Sequence, residues 1–451
     1  MRHLYFTAAI GLLISVAASQ AKKISEERVR EAVSWLAADE RKGRGSGTPE
    51  IAAAADWLAA RFAQAGLKQV REGSWFHEFN LPGLRIDSDA VKLTLTSQLG
   101  KESSELKLVA GRDVRQWLPS DSRKGDESCT VAPVGDRALQ RLMRARSARR
   151  PIVIEVPTDH SYWLQAAKQH VVLEGRRRAS RPVLLVREGL IPKAPKDRDF
   201  EWSADWAVAA PTRVEVAQRN VMALLPARDD SDHKNDFIIV SAHYDHIGVG
   251  AAKNGDAINN GADDDATGTT AVVMIAEAMA KMAPPSRNVL FVCFAAEERG
   301  LLGSKAFCAQ PPVPLVRIVA NINIEMIGRP EKGNEGKAWV TGSGFSDFAS
   351  ICDAALRKSG GGLVEFRMAN QLFMSSDKFS FVQKGVIAHS VSAGSLHEDY
   401  HQPGDEVAKL NIPHMTKIIR GLLDVTVEFA NRDKAPSWNA KGEALLKRFQ
   451  R

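Results

Sequence analysis

Cysteine is scarce in this sequence, at four of 451 residues. Extracellular domains that depend on disulfides are far richer in cysteine, so a disulfide scaffold is excluded. Cys293 lies inside an apolar run and is interpreted as a small buried core residue. Cys129, Cys308 and Cys352 leave room for one disulfide at most.

Long apolar runs are also missing after the N-terminus, where no uncharged run is long enough to span a bilayer. The first 21 residues combine Arg2, an apolar stretch over 4–16, and the small residues Ser19 and Ala21. This pattern is typical of a secretory signal. The sequence therefore predicts an exported protein, periplasmic or secreted, without a membrane span, whose mature chain starts near Lys22.

The positive charge is uneven along the chain. Residues 86–217 hold 23 Lys and Arg against 18 Asp and Glu, a net +5 of the total of +7. Clusters such as 144–150 and 176–178 form most of this excess, which indicates either a solvated face or a surface for acidic partners. Aromatic residues do not interleave with these clusters, so nucleic acid is not an expected partner.

Hydrophobic periodicity divides the chain into segments. Ser25 and Thr48-Pro49 are predicted to begin two helices, and the glycine-rich turn at 42–47 between them is interpreted as a loop. Val91, Leu93 and Leu95 alternate with polar residues and begin a strand-rich region. The predicted organisation is a signal at 1–21, an N-terminal part of the main domain at 22–85, a β-rich insert at 86–217, the main α/β domain at 218–432, and a basic tail at 433–451.

Two apolar runs, at 237–240 and 289–294, each end in imidazoles or carboxylates. In an open α/β sheet, ligands bind at the carboxyl edge of the strands. Imidazole combined with carboxylate suits zinc. The candidate metal ligands are His243, Asp264, Glu298, Glu325 and His401. Each alone has a purely structural interpretation, such as helix capping by the aspartates at 263–265, but their gathering at successive strand ends favours a metal site.

Four segments carry a resemblance to a known family: SAHYDH at 241–246, NGADDDATG at 260–268, AAEERGL at 295–301 and DYHQPGD at 399–405. They resemble, in order, the motifs of the di-zinc aminopeptidases, a family that also contains glutamate carboxypeptidases, transferrin receptors and glutaminyl cyclases. The resemblance covers roughly 24–85 and 218–430. It implies an α/β fold with a central, twisted, mostly parallel sheet and helices on both faces. The insert at 86–217 lies where many members carry a protease-associated domain and shares little of its sequence.

The resemblance also implies roles for single residues. His243 and Glu325 would bind one zinc, Glu298 and His401 the other, and Asp264 would bridge both. Asp245 would accept a hydrogen bond from the His243 imidazole. Glu297 would be the general base acting on a water shared by the two ions.

Three positions depart from the family pattern. Glu325 replaces a common aspartate but keeps the carboxylate, so it is still expected to be a ligand. Ser376-Asp377-Lys378 stands where Ser-Asp-His is common, so Lys378 replaces a histidine. We expect this lysine to affect substrate preference. Phe373 matches a position where some relatives have a tyrosine that steadies the oxyanion, which leaves Tyr400 as a weak candidate for that donor.

The implied function is that of a metallo-aminopeptidase with two zinc ions per chain that acts on peptides with a free N-terminus. Three alternatives remain open. A carboxypeptidase for acidic dipeptides would need arginines near the motifs, where only Arg299 and Arg329 occur. A glutaminyl cyclase typically binds one zinc, and an inactive binding protein would have lost ligands or the base. The oligomeric state is left open.

Overall fold

The structure is a computed structural model that describes residues 24–121, 123–133, 150–166, 169–173, 181–193, 200–253 and 255–449. The predicted signal at 1–21 and most of the arginine clusters lie outside the described residues. The chain forms two compact units, one of residues 24–79, 218–249 and 258–449, the other of residues 80–217 and 250–257, each within the described ranges. The four cysteines are free thiols.

Helices occur throughout the first unit. In the described ranges they are α1 (Glu26–Leu36), α2 (Pro49–Gln64), α3 (Ser161–Gln165), α4 (Gly268–Met279), α5 (Leu302–Ala309), α6 (Phe348–Lys358), α7 (Lys378–Val382), α8 (Ile412–Asn431) and α9 (Ala440–Phe449). Of the helices in the described ranges, only α3 belongs to the second unit.

The strands of the described ranges, in chain order, are β1 (Phe76–Asp87), β2 (Val91–Leu99), β3 (Glu102–Leu108), β4 (Val114–Leu118), β5 (Lys124–Ser128), β6 (Thr130–Pro133), β7 (Ile152–Val156), β8 (Gln169–Leu173), β9 (Val183–Arg187), β10 (Phe200–Val208), β11 (Thr212–Leu225), β12 (Phe237–His243), β13 (Gly248–Lys253), β14 (Asp256–Asn259), β15 (Asn288–Phe294), β16 (Ile318–Glu325), β17 (Trp339–Val340) and β18 (Ala388–Ser392).

In the first unit, strands lie in the order β17, β18, β16, β12, β15, β11. The four inner strands, β18, β16, β12 and β15, run parallel to one another. The flanking strands β17 and β11 are antiparallel to their neighbours. The carboxyl ends of the four parallel strands therefore meet at one edge of the sheet, which is where an α/β sheet binds its ligands.

Both faces of this sheet are covered by helices. Ile238 and Val240 of β12 pack in one core cluster with residues of α1, α2, α4, α6 and α8. Ile239, between them, packs in a second cluster with residues of α5 and α7. Neighbouring side chains of a strand point to opposite faces, so an unbroken apolar strand is a strand buried on both sides. The predicted fold class, an α/β domain with a mostly parallel sheet, is confirmed.

The second unit consists mainly of β-strands. One four-stranded antiparallel sheet has the order β3, β2, β10, β5, and a second, mixed sheet has the order β4, β9, β7, β6. The side chains of Leu93, Trp206 and Leu184 share one core cluster of this unit. The predicted strands at 91–95, 152–154 and 183–186 lie in β2, β7 and β9. The relation of the insert to a protease-associated domain stays a prediction.

The capping residues in the sequence predicted the starts of two helices correctly. The Ser25 hydroxyl accepts the N–H of Arg28 at the start of α1, and Thr48 accepts the N–H of Ile51 at the start of α2, with Pro49 in its first turn. The segment predicted as a basic tail at 433–451 is partly helical, because residues 440–449 form α9. Leu445, Leu446 and Phe449 of α9 pack against the second core cluster.

Among the residues that the structure describes, every helix is too short or too polar to cross a bilayer.

Candidate metal centre

Each of the four parallel strands delivers a polar residue to the same sheet edge. His243 ends β12, Glu325 ends β16, Glu297 and Glu298 follow β15, and His401 lies in the segment after β18. Asp264 lies in the turn at 262–267 that precedes α4. The expectation that these residues gather at the carboxyl edge is therefore met by the geometry.

The carboxylate of Asp264 stands between two histidines. Its Oδ1 lies 3.2 Å from Nε2 of His243, and its Oδ2 lies 3.2 Å from Nε2 of His401. Nε2 of His243 also lies 3.6 Å from Oε2 of Glu325, and Nε2 of His401 lies 3.1 Å from Oε1 of Glu298. The carboxylate of Asp264 thus belongs to two sets of possible metal ligands. One set contains His243 and Glu325, and the other contains His401 and Glu298.

The neighbouring Asp263 and Asp265 accept hydrogen bonds from the backbone. Asp263 Oδ1 accepts the N–H of Gly328, and the carboxylate of Asp265 accepts the N–H groups of Gly268 and Met326. The carboxylate of Asp405 accepts the N–H groups of Asp263 and Asp264. Asp265 lies within donor reach of His243 and Glu325, but its Oδ1 already accepts two backbone N–H groups. Asp264 therefore has the freer carboxylate and is the better candidate ligand.

The Asp245 side chain is oriented otherwise than the resemblance implied. The Nδ1 of His243 lies 3.0 Å from the backbone carbonyl oxygen of Asp245 and 3.8 Å from its nearest carboxylate oxygen. The carboxylate instead accepts the N–H of Glu297 at 3.0 Å and that of Glu298 at 3.4 Å. Burial raises the pKa of Asp245 to about 6, against the opposing effect of His243.

Three residues near the centre have left-handed backbone conformations. Ala296, which precedes Glu297, has φ of 58°, Met326, which follows Glu325, has φ of 45°, and His401 itself has φ of 56°. Left-handed backbone is unfavourable for residues with a Cβ and is often found at functional sites. These positions orient the carboxylates and the imidazole relative to the strand ends.

The electrostatics of the cluster favour a cation. Burial favours the neutral carboxyl of Asp264, but the imidazoles of His243, His401 and His246 outweigh it and hold the pKa of Asp264 well below its usual range. Burial, followed by nearby carboxylates of Asp377 and Glu325, raises the pKa of Glu297 well above its usual range despite His243. The repulsion between neighbouring carboxylates, which contributes to the raised pKa of Glu297, would be relieved by a bound cation.

The donor set fits zinc. Tetrahedral zinc with bonds of about 2.0–2.1 Å places its donors about 3.3–3.4 Å apart, close to the 3.1–3.6 Å separations of these histidine and carboxylate atoms. Asp264 Oδ2, Glu298 Oε1 and His401 Nε2 are buried atoms without a hydrogen-bond partner among the described residues. Buried imidazole nitrogen and carboxylate oxygen atoms that lack a hydrogen-bond partner are suited to bind a metal ion.

A cavity of about 100 Å³ opens beside the cluster. Its lining includes Glu297, His243, Asp264 and Glu325, and it also includes four apolar side chains: Met326, Trp339, Leu372 and Leu396. The Tyr400 side chain, which stacks on the His401 ring, also borders the cavity.

The two other departures from the family pattern have clear positions. Phe373 is buried against Phe345 and His389. Because it is a phenylalanine, this position offers no hydroxyl to the cavity. Lys378 is fully buried at the cavity wall, and its ammonium donates to the carbonyl oxygens of Leu372 and Ser375. Burial lowers the pKa of Lys378 to about 8.

The sequence interpretation missed His246 as a site residue. Its ring is buried, with Nδ1 at 2.8 Å from Oε1 of Glu298. The motif already places this histidine three residues after His243, but spacing alone does not reveal which way its ring points. Arg44 was also missed: its buried guanidinium donates to the carbonyl oxygens of Tyr244, Asn260 and Gly261 and so fastens the loops of the centre to the turn at 39–44.

Taken together, the fold and the cluster define the class of α/β proteins that build a metal centre from histidines and carboxylates at the carboxyl edge of a parallel sheet. Residues 220–426 match the profile of peptidase family M28. The matched stretch is similar to that family, as the resemblance to the di-zinc aminopeptidases implied.

Two curated relatives are named as peptidases. Aminopeptidase YwaD of Bacillus subtilis is 24% identical over 309 residues, which are 64% of this chain and 60% of that protein. A probable zinc metalloprotease of Pyrenophora tritici-repentis is 32% identical over 117 residues, which are 26% of this chain and 25% of that protein. The chain thus spans less than two thirds of the length of these curated relatives.

Solved structures show the same fold. An aminopeptidase from Aneurinibacillus sp. strain AM-1 has a TM-score of 0.53 at 18% identity, covering 93% of this chain and 97% of its own. The zinc aminopeptidase BSAP from Bacillus subtilis has a TM-score of 0.56 at 15% identity, covering 91% of this chain and 97% of its own. At these identities the likeness concerns the fold.

Proposed function

We propose that this chain is an exported metallo-aminopeptidase that removes N-terminal residues from peptides at a centre holding two zinc ions. The observation that carries the proposal is the position of Asp264, whose two carboxylate oxygens each lie 3.2 Å from a different histidine, His243 and His401. Glu325 completes one donor group and Glu298 the other. The names of the relatives, an aminopeptidase and a zinc aminopeptidase, point the same way.

The grouping of the side chains supports two ions rather than one. His246, Asp264, Glu298 and His401 form one group of possible metal ligands, and His243 with Glu325 belongs to a second group. When bound, zinc polarises a carbonyl, stabilises developing negative charge and makes water a better nucleophile at neutral pH.

Glu297 is the proposed general base. Its side chain lines the cavity beside His243 and Asp264, and its backbone N–H is fixed by Asp245. As a carboxylate it takes a proton from the attacking water, and as a carboxylic acid it returns that proton to the leaving amine. The raised pKa of Glu297, which burial causes, suits a group that must carry a proton in both directions.

The cavity accounts for the proposed substrate. A free amine would meet the carboxylates on one side, while the N-terminal side chain would lie against Trp339, Leu372 and Leu396. We therefore propose a preference for large apolar N-terminal residues. The arginines do not favour a carboxypeptidase, because Arg329 donates to Asp399 at 2.8 Å and Arg299 is exposed.

The oxyanion donor and the insert complete the proposal. The Tyr400 hydroxyl, at the cavity border, is the proposed donor to the oxyanion. The residues of the cluster all lie in the first unit, so the insert at 86–217 is proposed to position or restrict substrate without supplying a ligand.

A paired substrate assay tests the activity. The zinc-loaded protein is given leucyl peptides with a free or an acetylated N-terminus, and peptides blocked at the C-terminus. We expect cleavage of the first residue from free peptides only, regardless of C-terminal blocking. Equal cleavage of acetylated peptides, or a requirement for a free C-terminus, would contradict the proposal. Cyclisation of N-terminal glutamine would favour the cyclase, and zinc binding without any turnover would favour a binding protein.

Export is tested separately. The motive is the signal-like pattern of the first 21 residues. Mass spectrometry of the mature protein from its native host should find a chain that starts near Lys22, and an intact Met1 in the mature fraction would refute export.

A further inference from the structure

His246 approaches the metal centre from a side that the resemblance leaves without a ligand. Its ring is wholly buried, with Nδ1 at 2.8 Å from Oε1 of Glu298 and 3.8 Å from Oδ2 of Asp264. The ring meets that of His401 edge to face, at 5.4 Å between centroids. One donor atom from each of these four residues lies within 4.8 Å of all the others.

A hydrogen bond to Glu298 does not explain the position of this ring. The 2.8 Å approach of Nδ1 to Oε1 lacks the alignment of a hydrogen bond, and both ring nitrogens are without a partner among the described residues. Oε1 of Glu298, Oδ2 of Asp264 and Nε2 of His401 are unpartnered in the same way. Four buried polar atoms that face one another without bonding have an obvious common partner in a cation.

The loop of His246 is built to hold the ring there. The N–H of His246 donates to the carbonyl oxygen of Arg44, and the Arg44 guanidinium donates to the carbonyl oxygen of Gly261. Gly261 has φ of 59°, and a Cβ on it would lie 2.5 Å from Cγ of His246. The imidazole therefore fills the space that any other residue at 261 would occupy.

We infer that His246 is a fourth protein ligand, through Nδ1, of the metal ion held by Asp264, Glu298 and His401. This inference rests on the proposed two-zinc function and makes its two positions unequal. With four protein ligands, the ion of the His246 set would have less room for water or substrate than the ion held by His243, Asp264 and Glu325, whose residues line the cavity.

Proton NMR of the protein loaded with cobalt(II) at both positions counts the coordinated histidines directly. Each imidazole bound through one nitrogen keeps one exchangeable N–H, which the paramagnetic ion shifts far from the ordinary spectrum. We expect three such signals in the wild-type protein, from His243, His246 and His401, and two in His246→Phe, whose ring is similar in shape. His389→Phe, which replaces a buried histidine outside the cluster, should keep all three.

Metal titration supplies the second readout. The His246→Phe variant should bind one zinc as the wild type does and the other at least about 10-fold more weakly, with His389→Phe unchanged. Removing a residue that only supports a ligand can also weaken metal binding by about 10–100-fold. The number of shifted N–H signals therefore decides whether His246 is a ligand or a supporting residue.

The outcomes separate this inference from the function on which it rests. Two bound ions with only two shifted signals in the wild type would overturn the ligand role of His246 and leave the proposed function intact. Three signals that all persist in His246→Phe would overturn it as well. Binding of a single ion by the wild type would instead contradict the two-zinc function. A wild-type count of two signals overturns the inference even if the variant does not fold.

Discussion

The carboxylate of Asp245 accepts the backbone N–H of Glu297 at 3.0 Å. It also accepts the N–H of Glu298 and the hydroxyl of Ser46. The side chain of Asp245 therefore shapes the turn that carries the proposed base and its neighbouring ligand, while its backbone carbonyl orients the His243 ring. Asp245 thus connects the ends of β12 and β15, through its backbone carbonyl to His243 and through its carboxylate to the turn at Glu297.

The first prediction follows from this division of labour. Asp245→Asn keeps the backbone carbonyl that faces His243 but replaces one carboxylate oxygen by an NH2 group, which cannot accept an N–H. The turn at Glu297 should shift, and misplacing a catalytic group by about 1 Å can cost about 10²-fold in rate. We expect kcat to fall by about that factor with two zinc ions retained.

Zinc content and kcat, measured on the same preparation, check this prediction. If Asp245 acted through the imidazole instead, the variant would lose zinc from the His243 position and regain full activity in excess zinc.

The second prediction concerns the apolar side of the cavity. Leu372→Ala removes apolar contact at the cavity wall but keeps the carbonyl oxygen that accepts the Lys378 ammonium. Loss of apolar fit between enzyme and substrate side chain is worth about 10-fold or more in selectivity. We expect kcat/KM for leucyl substrates to fall about 10-fold relative to alanyl substrates.

Met374→Ala is the matched control, because Met374 lies in the same turn, is exposed and does not line the cavity. An equal loss for leucyl and alanyl substrates in Leu372→Ala would contradict the assignment of this wall to the N-terminal side chain.

The third prediction concerns pH and stability. Burial lowers the pKa of His389 from 6.5 to about 4, and its ring hydrogen-bonds the Ser346 hydroxyl and the Thr341 carbonyl oxygen. As pH falls from about 6.5 to 4, the unfolded chain takes up a proton at this residue and the folded chain does not. The free energy of unfolding should therefore fall over this window, by on the order of 3 kcal/mol from this residue.

Denaturant unfolding of the wild type and of His389→Gln at several pH values checks this. Glutamine is close in size, can hydrogen-bond and does not titrate, so the stability difference between the two proteins should shrink steadily from pH 6.5 to 4. A difference that is constant with pH would show that His389 does not stay neutral in the folded protein.

Much of the centre could be predicted from the sequence because strand ends are visible in it. The apolar runs of β12 and β15 are buried on both faces and end abruptly at His243 and before Glu297. Parallel strands bring such ends to one edge, so residues far apart in the chain become neighbours. The start of α2 at Thr48 was equally legible, since the cap and the proline are local signals.

The direction of single side chains was not predictable in the same way. The ring of His246 is fixed by Arg44 and Gly261, which lie in other loops, and the Asp245 carboxylate by amides about 52 residues away. These choices are tertiary contacts without a local pattern. The helix α9 was missed for a related reason: its few apolar residues look insufficient until the core cluster beneath them is known.

The central claim is that Glu297 moves a proton while Glu298 holds a metal, and one paired measurement tests it. Zinc per chain, by mass spectrometry, and kcat are determined for the wild type, Glu297→Gln and Glu298→Ala. We expect Glu297→Gln to retain two zinc ions and lose about 10²–10⁴ in kcat, because glutamine keeps the size of the side chain but cannot take a proton. Glu298→Ala should release one zinc, because an anionic donor is lost. Loss of zinc from Glu297→Gln together with two retained ions in Glu298→Ala would contradict the account.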